Sequence, residues 1–189
     1  MRDLTNETGQ ETQVKSKKRV SDHGEVFTNQ REVNAMLDLV KQETERIDSR
    51  FLEPACGDGN FLVEILRRKL DIVDNRYRKS QLEWERYAVI AVSSIYGVDI
   101  LEDNAIECRK RLMSIFRDRY NAHFKDKCNE DCIRSVAFIL SRNILWGDAL
   151  DFTNPITLSP IVFSEWSAVN GSLIKRRDYI FKFLVEQSH

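Results

Sequence analysis

The sequence predicts an α/β fold, a mainly parallel sheet flanked by helices with its chemistry at the strand tips. Three stretches predict it, each a short apolar run that meets an acid. Phe51-Leu52 runs into Glu53-Pro54-Ala55-Cys56-Gly57-Asp58-Gly59-Asn60 and then a helical pattern. Ser94 to Leu101 contains Gly97-Val98-Asp99, and Asn143 to Leu150 contains Gly147-Asp148. Between the runs, apolar residues recur at the spacing of one helix face. Strands that alternate with helices belong to parallel sheets.

In chain order, residues 1–20 are polar without apolar periodicity and read as a disordered arm. Gly24-Glu25-Val26-Phe27-Thr28-Asn29 then precedes a helix through Val33, Met36, Leu37 and Val40. Thr28 or Asn29 is placed to cap it, with Glu32 completing a capping box. At the first strand tip, Gly57 and Gly59 let backbone turn sharply or approach a ligand closely. A helix starting just after them aims free N–H groups at the same point. Its core face is Phe61, Leu62, Ile65, Leu66 and Leu70. Ser80-Gln81-Leu82-Glu83 opens the next helix, through Trp84, Tyr87, Ile90 and Ala91.

Asp99 ends the second strand, where an acid can accept hydrogen bonds from both ribose hydroxyls of a nucleoside. Capping the helix that follows is the plainer role for it. That helix carries Ala105, Cys108, Leu112, Ile115 and Phe116, and a further one carries Cys132, Ile133, Val136, Ala137 and Leu140.

A chain of 189 residues suits one domain with a real core, and 42% hydrophobic with 31% charged residues describes an ordinary globular protein. The net charge of −1 argues against a chain that grips DNA unaided. Its basic runs, Arg109-Lys110-Arg111 and Lys175-Arg176-Arg177 among them, read as solvated faces. No apolar run is long enough to span a bilayer, so the expectation is a cytoplasmic protein without a membrane partner. Cys128, Cys132 and His123 match no zinc spacing, and neither metal nor disulfide is expected.

Glu53-Pro54-Ala55-Cys56-Gly57-Asp58-Gly59-Asn60-Phe61-Leu62 resembles the S-adenosylmethionine loop of adenine-specific DNA methyltransferases of restriction-modification systems. Asp58 stands where that family more often has serine. The resemblance extends from Gly24 to Leu150 and implies a Rossmann-like methyltransferase fold, here incomplete. It implies that Phe27 and Thr28 pack against the cofactor, although Asn29 replaces the family's proline. It further implies that Glu53, Pro54, Ala55, Cys56, Gly57, Gly59, Asn60 and Phe61 form the cofactor loop. By the same resemblance Asp99 holds the ribose and Asp148 the adenine amine, with Ile100 and Ala149 as apolar walls of the ring's slot. The implied cofactor-binding domain covers residues 21–160.

The family's fourth strand ends in Asn/Asp-Pro-Pro-Tyr/Phe, which holds and stacks a flipped-out adenine. No such tetrapeptide occurs here, so the catalytic residues are unknown. Asn154-Pro155-Ile156-Thr157 reads as a turn. Pro160 to Ser167 is the positional candidate for the fourth strand, with Ser164-Glu165-Trp166 at its tip and Trp166 read as a packing residue. Asn170-Gly171 signals a hairpin, and a helix from Asp178 through Leu184 closes a terminal unit over 161–189. The resemblance therefore implies a cofactor-binding subunit or fragment, with DNA reached through a partner polypeptide of the restriction-modification system. Two alternatives stand beside it: a non-catalytic cofactor-binding module, and a methyltransferase for a non-DNA substrate. A dinucleotide oxidoreductase ranks last, because Leu62 stands where the third glycine of G-x-G-x-x-G belongs.

Overall fold

The computed structural model describes residues 28–169 and 173–186. The polar arm, Phe27 and the Asn170-Gly171 turn lie outside them. Asn29 caps helix α1 (Gln30–Asp38), its side chain accepting from the Glu32 N–H at 3.0 Å. A short α2 (Lys41–Thr44) leads to β1 (Phe51–Glu53). Helices α3 (Asn60–Tyr77) and α4 (Gln81–Ser93) precede β2 (Ile95–Asp99). Ser80 caps α4 from the Glu83 N–H at 3.4 Å, as its capping-box spacing predicts. Helices α5 (Glu102–Phe124) and α6 (Glu130–Asn143) precede β3 (Ile144–Trp146).

The three strands form a parallel sheet in the order β1-β2-β3. Glu53 lies opposite Gly97, and Asp99 opposite Trp146. All three carboxyl ends therefore point the same way, with neighbouring tips about 5 Å apart. The fold is the predicted α/β one, a parallel sheet flanked by helices.

One face of the sheet is covered by the main core, to which α3 to α6 all contribute. Trp84 is fully buried there, stacked on Tyr120 with ring centres 5.0 Å apart, and its indole N–H donates to Asp74 at 2.7 Å. Lys69 is also fully buried. Its ammonium donates to the carbonyls of Ile47 and Ser49 and to the Ser94 hydroxyl, tying the approach to β1 onto α3 and α4. Burial pulls its pKa down to about 7.

The carboxyl-terminal part departs from expectation. Pro160 to Ser167 does not extend the parallel sheet. Instead β4 (Val162–Ala168) pairs antiparallel with β5 (Ile174–Ile180), from Val162 opposite Ile180 to Ala168 opposite Ile174. Two causes favour this arrangement. Asn170-Gly171 is a two-residue hairpin signal in the sequence, and Tyr96 and Val98 leave an apolar sheet face to cover. Ile161 and Phe163 pack on that face, and the Tyr96 hydroxyl donates to the Ser164 carbonyl at 3.0 Å. The terminal helix α7 (Phe181–Glu186) starts later than expected, since Asp178 to Ile180 continue β5. Ala137 faces solvent, and Ile139 takes the core position on α6. Among the described residues no helix is long and apolar enough to cross a membrane.

Candidate functional site

The tips of the first two strands meet at the glycine loop. Gly57 has φ of 53° and Gly59 has φ of 94°, values that residues with a side chain adopt only with strain. The two glycines meet different surroundings. A methyl group on Gly57 would touch nothing within 4 Å, whereas on Gly59 it would stand 2.6 Å from the Cys108 sulfur. Gly59 lets α5 pack against the loop, while Gly57 borders open space.

Hydrogen bonds hold the loop at the second strand. The Cys56 N–H donates to the Val98 carbonyl at 2.9 Å, and the Gly57 N–H donates to Asp99 Oδ2 at 2.8 Å. Asp99 is buried, and its other oxygen accepts from the Leu101 N–H at 2.9 Å and from the Asn104 amide at 3.2 Å. Its backbone carbonyl accepts from the Gly147 N–H at 2.9 Å. One residue thus joins the first loop, the start of α5 and the third strand's exit. α3 begins at Gly59 without a side-chain cap, so its first N–H groups are free to meet a ligand.

The other sequence-selected residues that the structure describes have partners of their own. Thr28 accepts at its carbonyl from the Asn60 amide, 3.1 Å away. Burial pushes the Glu53 carboxyl above its ordinary pKa, partly offset by a hydrogen bond from the Ala55 backbone. Cys56 is buried, and its thiol pKa is pushed up by a hydrogen bond with Cys108 and by burial, which makes it a packing group rather than a nucleophile. Phe61 packs on the main core. Ile100 is half-exposed beside the tip of β2, and Ala149 packs on the smaller cluster. Asp148 Oδ1 accepts from the Leu150 and Asp151 N–H groups at 2.8 and 3.3 Å. Its backbone also bridges to Thr153.

Residues away from the tips take structural roles. Asn154 Oδ1 accepts from the Ile156 and Thr157 N–H groups, the turn that its sequence suggests. Trp166 donates to Asn143 at 2.9 Å and meets Phe138 edge-on, so it packs as read. Glu165 pairs with Arg50 and accepts from the Tyr179 hydroxyl, and the Arg50 bond holds its carboxyl below the usual range.

Sequence reading missed Asn104 and Arg111. Asn104 is buried against Asp99, and the Arg111 guanidinium reaches Asp58 at 2.9 Å. The signal lies in their spacing. Positions 104, 108 and 111 share one stripe of α5 with the buried Cys108, so Arg111 belongs to the loop-facing side rather than to a solvated basic run.

A glycine loop at the tip of the first of three parallel strands, with acids at or beside the other two tips, defines a Rossmann-like methyltransferase fold. A family model of the MmeI DNA-methyltransferase domain matches residues 12–159, and the chain belongs to that family. It is thereby one of the DNA methyltransferases of restriction-modification systems. The match runs past the Gly24–Leu150 resemblance at both ends. No curated protein and no solved structure matches the chain.

Proposed function

We propose that this chain is the S-adenosylmethionine-binding portion of a DNA adenine N6-methyltransferase. The base-holding group then comes from a further polypeptide. The observation that carries the reading is the cradle at Gly57, where bare backbone at positive φ borders open space beside the uncapped start of α3. The residues present fit the cofactor there. The N–H groups of the first turn of α3 suit the methionine carboxylate. Asp99 Oδ2 uses one lone pair on Gly57 and keeps another for a ribose hydroxyl. Ile100 offers an apolar wall for the adenine, and Asp148 accepts from its amine. By the family resemblance, Phe27 and Thr28 pack against the cofactor. When bound, S-adenosylmethionine supplies a methyl group on a sulfonium centre.

The chain's own contribution is to orient that group and exclude water, so proximity and electrostatics supply the rate. Residues 21–160 form the cofactor domain in this reading, and residues 161–189 form a hairpin and helix that back it. DNA is engaged together with a partner restriction-modification polypeptide in the cytoplasm. The involvement of Glu165 with Arg50 and Tyr179 disfavours an unfamiliar substrate site built on that residue. Calorimetry with S-adenosylmethionine tests the proposal. Binding should weaken at least tenfold in Asp99→Ala and about threefold in Asp148→Ala, each tenfold being about 1.4 kcal/mol. Tight binding untouched by both changes overturns the assignment, and normal methylation of DNA by the isolated chain overturns the partner requirement.

A further inference from the structure

We infer that Arg111 is a positioning residue of the cofactor loop. By holding Asp58 and Asn60 from α5, it keeps the Asp58 carboxylate off the free N-terminus of α3. The inference rests on the reading of that loop as the cofactor site.

The geometry is a clamp. Nη1 of Arg111 lies 2.9 Å from Asp58 Oδ1, 3.0 Å from the Asp58 carbonyl and 2.9 Å from Asn60 Oδ1. The Asn60 amide then donates to the Thr28 carbonyl at 3.1 Å. Donor chemistry settles which way this amide faces: a guanidinium only donates and a backbone carbonyl only accepts. The Asn60 oxygen must face Arg111 and its nitrogen must face Thr28. One side chain of α5 therefore connects the loop, the first turn of α3 and the segment before α1.

The need for the clamp follows from the loop sequence. Asp58 immediately precedes Gly59, which occupies the cap position of α3 with no side chain. An aspartate at a helix start is strongly drawn to the unsatisfied N–H groups there. Left free, Asp58 would occupy those donors and present negative charge to any incoming anionic group. Arg111 engages the carboxylate from the other side. The pair is partly withdrawn from water, with side chains 30% and 22% exposed, so it is less screened than a surface pair.

Calorimetry with S-adenosylmethionine on wild type, Arg111→Met, Asp58→Ser and the double variant tests the inference. Arg111→Met is expected to bind about tenfold more weakly, Asp58→Ser within about threefold of wild type, and the double variant to recover most of the loss. Arg111→Lys, which retains a donor cation, is expected to fall between wild type and Arg111→Met. A double variant as weak as Arg111→Met means ordinary packing loss and overturns the inference, as does wild-type affinity in Arg111→Met. If the wild type itself binds no S-adenosylmethionine, the functional reading fails and hydrogen exchange tests the clamp separately. Exchange altered over residues 57–62 in Arg111→Met supports the clamp, and unaltered exchange overturns it.

Discussion

The two faces of the parallel sheet are built to different standards. On one face α3 to α6 enclose a continuous core in which Trp84, Phe116 and Tyr120 are fully buried. On the other, among the described residues, Tyr96 and Val98 meet only Ile161, Phe163 and Phe181 as buried partners. A hollow of about 620 Å³ remains there, lined by Leu52, Tyr96, Phe163, Phe181 and Leu184 among others. Leu52 and Phe183 are 45% and 54% exposed. The difference teaches where the loop takes its rigidity. Cys108 and Arg111 reach it from the well-packed side, so its geometry is inherited from the larger core.

Substitutions on the two faces test this contrast. Trp84→Ala removes the stacked ring and leaves Asp74 without its indole donor, and should cost about 4 kcal/mol in urea unfolding. Gly59→Ala should cost about 3 kcal/mol, since it combines strain at φ of 94° with a clash against Cys108. Adding Cys108→Ala should restore only the part due to the clash, which a double-mutant cycle measures. Phe163→Ala on the thin face should cost about 2 kcal/mol, below the usual range for such truncations, because its cover can settle inward. A loss equal to that of Trp84→Ala would erase the contrast.

The smallest effect expected is on the pH profile. Lys69 is held near pH 7 when folded, against about 10.4 when unfolded. Above pH 7 the unfolded chain therefore binds more protons, and stability should rise with pH from about 7 toward 8.5, before unfolded thiols begin to ionise. Lys69→Met should flatten that slope, and an unchanged slope in equilibrium unfolding would assign the proton to another group.

Much of the fold was legible in one dimension because its causes are local. Helix caps at Asn29 and Ser80 and the Asn154 turn depend on neighbours a few residues away, and each formed as read. The periodic apolar faces formed with exceptions, since Met36, Val40 and Ala137 are exposed. The Asn170-Gly171 signal likewise called for antiparallel pairing, and the flanking strands do pair that way. Pro160 to Ser167 was harder, because an apolar strand can join either sheet edge or sheet face. The uncovered surface of Tyr96 and Val98 resolved that choice. Arg111 was hidden for the same reason: three consecutive cations look alike until a helix turns one of them toward Asp58.

By itself, then, the sequence determined the alternation of strands and helices and the backbone chemistry of the glycine loop, because propensities, caps and positive φ values act at short range. Only the tertiary structure decided what each acid holds within the chain, with Asp99 accepting from Gly57, Leu101 and Asn104, and Asp148 accepting from Leu150 and Asp151. Hydrogen-bond partners 42 residues apart, such as Gly57 and Asp99, meet only once the sheet has assembled.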